Sequence, residues 1–97
     1  MKTSTILLIV AFVAATAAGC IPVHKVSYTN QCNVDIDVYA DDHPHPAVLG
    51  LSPGQTANGV RGAQEGQRFF EARNESDTII DSQQIDVKGA LQVTFCR

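Results

Sequence analysis

The densest group of side chains that could do chemistry lies near the middle of the chain. It contains the carboxylates of Asp41 and Asp42 and the imidazoles of His43 and His45, while His24 offers a third imidazole from elsewhere. Carboxylate and imidazole together suit zinc, copper or nickel. Prolines interrupt this stretch, and two histidines one residue apart are not a specific zinc signature. The sequence therefore favours a solvated loop here, and it predicts neither a metal site nor a cofactor.

A second pair of carboxylates, Asp35 and Asp37, lies in a segment that alternates as a strand does. Residues two apart on a strand share one face, and paired carboxylates can act as acid and base. The simpler interpretation is a surface strand kept soluble by charge. Since no Gly-x-Ser-x-Gly nucleophile motif occurs either, we predict that the protein is not an enzyme and has no catalytic residue.

The tripeptide Asn74-Glu75-Ser76 matches the acceptor pattern for N-glycosylation. Such a match is common by chance, and it has meaning only if the protein is made in a eukaryotic cell. Asn74 is therefore a glycosylation site on that condition alone.

Two of the three cysteines suit a disulfide bond. Cys32 stands at the start of the predicted domain and Cys96 is the penultimate residue. A bond between them would close almost the whole domain into one loop, which the chain-entropy model values at roughly 4 kcal/mol. A small exported domain commonly needs such a staple. Two buried free thiols are the alternative.

The third cysteine, Cys20, has three open fates. Cleavage after Ala18 or Gly19 would leave it as a free thiol able to bridge two chains, and cleavage after Cys20 would remove it. The segment Ala17-Ala18-Gly19-Cys20 also resembles the lipobox of bacterial lipoproteins. That resemblance implies that Cys20 becomes the acylated first residue of a lipid-anchored protein. Free secretion is the interpretation that we prefer.

The N-terminus has the three parts of a secretory signal. Lys2 supplies the positive start, an apolar run extends from Ile6 to Ala15, and small residues follow from Ala14 to Gly19. The run is shorter than the roughly 20 apolar residues of a transmembrane helix, and no later run is as long. We therefore predict a signal peptide over residues 1–20, a single domain over 21–97, and no integral membrane segment.

The charge of the domain limits its partners. Without Lys2, six basic residues remain against ten acidic ones, so the net charge is near −4. The acidic residues are spread along the chain, and no basic stripe with interleaved aromatic residues occurs. This balance disfavours nucleic acid, or an anionic membrane, as the main partner.

Three segments alternate apolar and polar residues as half-buried strands do. Their inward-facing residues are Val34, Ile36 and Val38; Leu91, Val93 and Phe95; and Val26 with Tyr28. Further strands are predicted at 67–73, 77–82 and 84–87, where one of Phe69 and Phe70 enters the core. Prolines and glycines mark turns between them. The pattern predicts an all-β domain, a small antiparallel β-sandwich of about six or seven short strands with a disulfide staple.

Three pieces of the chain resemble the beginning of thaumatin-like proteins. They read VSYTNQCNVDIDVYA, LGLSPGQTANGV and EGQRFFEAR, and they fall between Val26 and Arg73. They occupy the places of a strand ending in Asn-x-Cys, a Leu-x-x-Gly turn and a Gly-Arg-aromatic strand in that family. The resemblance implies a β-sandwich and an extracellular role in defence or carbohydrate contact. It carries over no cleft residue.

These observations favour a small, secreted, non-enzymatic binding protein of an effector, toxin-like, defence or antimicrobial kind. Its target would be a protein or a glycan. The alternative is a lipid-anchored protein of the bacterial cell envelope with a structural or interaction role, acylated at Cys20.

Overall fold

The computed structural model describes residues 20–97, so the predicted signal peptide lies almost wholly outside the described residues. Within this part the chain is all β, with no helix and therefore none that could cross a membrane. Its nine strands are β1 Val23–His24, β2 Val26–Asn30, β3 Ile36–Ala40, β4 Val48–Leu51, β5 Thr56–Asn58, β6 Ala63–Gln64, β7 Gly66–Arg73, β8 Ile79–Val87 and β9 Leu91–Phe95. The all-β prediction is confirmed.

The strands form two facing sheets and a small additional pair. One sheet has the order β5-β2-β9, the other has the order β4-β3-β7-β8, and β1 pairs with β6. Every pair in the described chain is antiparallel except β2 with β9, which is parallel. The parallel pair departs from the prediction. The chain leaves this sheet after β2, and when it returns for the last time, as β9, it runs beside β2 in the same direction.

Alternating side chains from both sheets fill the core. Tyr28 lies at its centre, with its ring centroid 6.3 Å from that of Phe95 in the same sheet and 5.9 Å from that of Phe70 in the other. Ile36 and Val38 are buried from the second sheet. Burial raises the pKa of Tyr28 to about 12, so the phenol stays neutral in the core at physiological pH.

Several strand predictions are confirmed and others need correction. Phe70 is fully buried while Phe69 is half-exposed, as the prediction of one inward aromatic requires. The two short strands predicted between residues 77 and 87 form the single strand β8. Val34 is exposed, because β3 begins only at Ile36.

Side chains of β8 close one side of the sandwich. The Nε2 amide of Gln83 donates a hydrogen bond to the carbonyl of Thr94 (2.6 Å), and the carboxylate of Asp81 accepts one from the backbone N–H of Cys96 (2.8 Å). Both bonds reach from one sheet to the last strand of the other. They satisfy backbone groups at an edge that has no strand partner in the described chain.

The predicted disulfide bond between Cys32 and Cys96 is present, with the two Cα atoms 4.9 Å apart and a sequence separation of 64. Cys20 is a free, exposed thiol. The staple therefore ties the start of the sandwich to its last strand.

Replacing both Cys32 and Cys96 with Ala should destabilise the domain by about 4 kcal/mol, because the unfolded chain regains the entropy of an open loop. For a domain of this size the melting temperature should fall by roughly 15 °C or more. Thermal denaturation followed by circular dichroism measures the change, and Cys20→Ala is the matched control that should melt like the parent. Equal melting temperatures for the parent in oxidising and reducing buffer would show that the bond adds no stability.

Candidate functional site

The two ends of the sandwich differ in what they contain. At one end β2, β4, β7 and β9 finish and β3, β5 and β8 begin, so the loops 31–35, 52–55 and 74–78 meet beside the Cys32–Cys96 bond. We call this the disulfide end. The opposite end, which we call the N-terminal end, carries β1, β6 and the loop 59–62. Loops held by a rigid scaffold are where binding residues concentrate.

A cavity of about 460 Å³ opens at the disulfide end, between the loop 31–35, the turn at Pro53 and the β7–β8 loop. We call it the acidic cavity. It is lined by Asn33, Val34, Asp35, Pro53, Asn74, Glu75 and Ser76. A smaller cavity of about 130 Å³ shares three of these residues and adds Asp37 and Gly50. The carboxylates of Asp35 and Asp37, for which the sequence favours a surface role over catalysis, therefore both lie at this end of the protein.

The buried amide of Asn30 positions one wall of the acidic cavity. Its Nδ2 donates hydrogen bonds to the carbonyls of Val34 and Leu51, both at 2.8 Å, and its Oδ1 accepts one from the N–H of Cys32 at 2.7 Å. Asn30 is wholly inaccessible to solvent. Because a buried amide must find partners for its donors and acceptor, the loop 31–35 is held in one conformation.

Asn74 organises the opposite wall in a similar way. Its Oδ1 accepts hydrogen bonds from the N–H groups of Ser76 and Thr78, both at 3.0 Å, and its N–H bonds to the carbonyl of Thr78. Asp77 takes the left-handed conformation that such a tight loop needs, with φ of 61°. The predicted glycosylation residue thus stands in the wall of the acidic cavity.

The charges around the acidic cavity are unbalanced. The nearby guanidinium of Arg73 is already engaged by Glu71 at 2.9 Å and by Asp77 at 3.2 Å, and these hydrogen bonds raise its pKa. The same guanidinium lies 4.2 Å above the ring of Tyr39. By contrast, the exposed carboxylate of Asp35 makes no ion pair within residues 20–97.

Glu75 is the second exposed carboxylate of the acidic cavity, and it too has no ion-pair partner in the described part of the chain. Asp37 differs, since its Oδ1 accepts a hydrogen bond from the N–H of Gly50 at 2.8 Å. A cation brought to the acidic cavity would therefore meet two carboxylates that have no competing positive partner.

The residues first singled out for metal chemistry lie on the loop between β3 and β4, except His24, which lies apart on β1. The carboxylate of Asp41 accepts hydrogen bonds from the N–H of Phe69 (3.0 Å) and from the guanidinium of Arg68 (3.4 Å). The imidazole of His24, on β1, lies 3.2 Å from the carboxylate of Glu65. The remaining members, Asp42, His43 and His45, lie on the loop between β3 and β4, as the sequence predicts. Over residues 20–97 no group of three or more His, Cys, Asp or Glu side chains is placed to hold a metal ion.

Sequence reasoning missed most of the acidic cavity. Local pattern indicates only a turn at Pro53, only a glycosylation motif at Glu75, and a core position at Val34. Each signal is local, whereas the cavity depends on three loops that meet only when the sheets assemble. The only feature of the sequence that points to the cavity is that each of the three loops lies where the chain must reverse direction between strands.

No known protein family, curated protein or solved structure matches the chain. The resemblance to thaumatin-like proteins and the lipobox at Cys20 therefore stay predictions.

Changing Asn30 to Asp should test how the acidic cavity is held. The carboxylate keeps the acceptor for Cys32 but loses both donors and places a buried charge opposite two carbonyl oxygens, so we expect a loss of about 3 kcal/mol in unfolding free energy at neutral pH. Urea denaturation measures it. Because burial raises the pKa of the new carboxyl, part of the stability should return as the pH is lowered and the group becomes neutral.

The matched control is Asn33→Asp, an exposed position in the same loop, which should change stability by no more than about 0.5 kcal/mol. Equal destabilisation at both positions, or none at Asn30, would contradict the role given to the buried amide.

Proposed function

We propose that the chain is an exported, non-enzymatic binding protein that contacts a protein partner through the acidic cavity. The class that fits best is a secreted effector, toxin-like, defence or antimicrobial protein. A small β-sandwich stapled by a disulfide suits an oxidising compartment outside the cell. The disulfide end supplies the fixed loops on which such a protein would carry its contact residues.

The single observation that carries this proposal is the pair of carboxylates, Asp35 and Glu75, facing one cavity with no cationic partner among residues 20–97. An unpaired acidic pair attracts a positive group and accepts charge-assisted hydrogen bonds from it. The domain has a net charge near −4, which favours a basic partner further.

The apolar part of the acidic cavity narrows the chemistry of the partner. Val34 is 43% exposed and lies beside Pro53, so an aliphatic surface adjoins the carboxylates. A partner segment with one Lys or Arg next to an apolar side chain would fill the cavity. The aliphatic surface would cover the methylene groups of the Lys or Arg, and the carboxylates would bind its charged group. A neutral glycan offers no positive charge to these carboxylates.

Replacing Asp35 with Asn and Glu75 with Gln together should weaken binding to basic peptides roughly tenfold, as expected when charge-assisted hydrogen bonds are lost. The probe is an immobilised array of peptides in which one Arg lies between two apolar residues. Asp42→Asn is the control, because it removes an exposed carboxylate outside the cavity. Equal binding by the parent and the double variant, or preferential binding to a glycan array, would exclude this contact site.

The alternative proposal is a lipid-anchored envelope protein. It is favoured by Cys20, which is exposed, lies outside the disulfide and ends the segment that resembles a lipobox. The pairing of the other two cysteines leaves this thiol available for acylation.

The intact mass of the protein isolated from its own host separates the two proposals. For a lipoprotein, we expect a chain that begins at Cys20 and carries a diacyl-sized increment, which Cys20→Ala removes. For a freely secreted protein, an unmodified chain that begins near residues 19–21 is expected instead. The Cys32–Cys96 bond makes either chain lighter by the mass of two hydrogens before reduction, and this difference serves as an internal control.

A further inference from the structure

The longest strand of the sandwich has a free edge. β8 has nine residues, Ile79–Val87, and it pairs with β7 on one side only. No backbone hydrogen bond from elsewhere in residues 20–97 reaches it. The N–H and C=O groups along its other side are therefore open to a further strand.

The other sheet edges in the described chain are short or covered. β5 has three residues, and β4 has four residues with a register shift against β3. The edge of β9 is covered by the side chains of Asp81 and Gln83, which bond to the backbone of Cys96 and Thr94. Short strands, bulges and covering groups are the devices that prevent edge-to-edge pairing. β8 has only a register shift near Ile79, so most of its length lacks such protection.

The pairing of β7 with β3 shows which residues of β8 face the free side. The N–H of Asp41 donates to the carbonyl of Phe69, so Phe69 directs its backbone groups toward β3. Because this direction alternates along a strand, Phe70 directs its backbone groups toward β8, where it pairs with Gln83. By the same alternation, three residues of β8 direct their N–H and C=O groups away from β7. These groups, which we call the β8 edge, belong to Ser82, Gln84 and Asp86.

The side chains along the β8 edge do not block a second strand. Ser82 and Gln84 are exposed and uncharged. Asp86 lies at the far end of the strand, where its carboxylate is 3.6 Å from Nζ of Lys88. Asp81 does not face outward, since its carboxylate accepts a hydrogen bond from the N–H of Cys96. The middle of the edge therefore carries no charge and no proline of the kind that keeps strands apart.

A second copy of β8 is complementary to the first. Two copies laid antiparallel about a two-fold axis at Gln83 overlap over the whole strand. Ser82 of each copy then lies opposite Gln84 of the other, and both residues direct their backbone groups across the interface. Their side chains are a hydroxyl and an amide, each of which donates and accepts hydrogen bonds. The same pair occurs twice, because the axis repeats it.

Charge does not exclude this register. Asp86 of one copy lies about 20 Å along the strand from Asp86 of the other, given the rise of a strand, and physiological salt screens charges beyond roughly 8 Å. The nearest carboxylate across the interface is that of Asp81, which lies on the other face of the sheet and is held by Cys96. The net charge near −4 of each copy opposes association at long range, so the contact should strengthen as salt is added.

We propose that the β8 edge joins two copies of this chain, with β8 antiparallel to β8, into a dimer that has one continuous sheet. The contact consists of backbone hydrogen bonds and few apolar side chains, so the dissociation constant should be on the order of 10 to 100 μM. β8 begins at the disulfide end, and the two acidic cavities therefore lie at opposite ends of the dimer. Both stay open, and the dimer does not depend on the function proposed for them.

Sedimentation velocity of the exported protein over a range of concentrations tests the proposal, after iodoacetamide has blocked any free thiol at Cys20. Ser82→Lys combined with Gln84→Lys places like charges opposite each other twice across the axis. The dissociation constant should rise about tenfold, although each copy becomes less negative overall. Ser82→Lys combined with Gln84→Glu places opposite charges together in the same register, and it should restore the dimer.

Gln84→Pro tests the backbone itself. It removes a donor on the free side of β8, while the hydrogen bonds to β7 stay in place. Symmetry removes the donor twice, so the dissociation constant should rise about tenfold. The matched control is Asn58→Pro on the edge strand β5. The N–H of Gly59 donates to Val26 in β2, so that of Asn58 faces away from the sheet. This control should dimerise as the parent does.

Circular dichroism checks that each variant is folded, and the Lys and Glu combinations decide the question if Gln84→Pro is not. A parent that sediments as a monomer up to about 1 mM would overturn the proposal. A dimer unchanged by the Lys combination would also overturn it, because the contact would then lie on another surface. Failure of the Lys and Glu combination to restore the dimer would exclude this pairing of two copies and leave a foreign strand as the occupant.

Discussion

The buried side-chain amide of Asn30 and the disulfide beside it form the constraint on which the disulfide end depends. Asn30 ends β2, and its hydrogen bonds fix the N–H of Cys32 and the carbonyls of Val34 and Leu51 around one point. Gln31 then donates to the carbonyl of Phe95, which brings the last strand alongside. The backbone thus sets the two cysteines in position, and the bond between them removes entropy from the unfolded chain rather than forcing the folded one.

Because the core and the staple hold the sandwich, the loops at its ends are free to carry unpaired groups. Exposed carboxylates such as Asp35 and Glu75 cost little stability in water, since they keep their hydration. The same holds for Lys25 at the other end. The two ends can therefore differ in character without a penalty in the core.

Much of the fold follows from local sequence pattern, but the sites do not. Alternation placed Tyr28, Ile36 and Val38 inside because a two-residue period is a property of the strand itself. Deciding which of Phe69 and Phe70 is buried requires the register of β7 against β3, in which Phe70 pairs with Ala40 and faces the core. The parallel pairing of β2 with β9 joins the two ends of the domain, so no window of sequence contains both partners.

The Asp and His residues of the loop between β3 and β4 show why composition alone overstates a site. Asp41 is adjacent to Asp42 and His43 in sequence, yet its carboxylate is used by the backbone of Phe69 and by Arg68, which are 28 and 27 residues further along the chain. That carboxylate holds the loop against β7 and is not free for a ligand. The acidic cavity shows the opposite relation between sequence and structure. Its residues are distant in sequence, and the assembled sheets bring their loops together. The side chains left unpaired after folding, rather than those clustered along the chain, are therefore the ones on which recognition by this protein should depend.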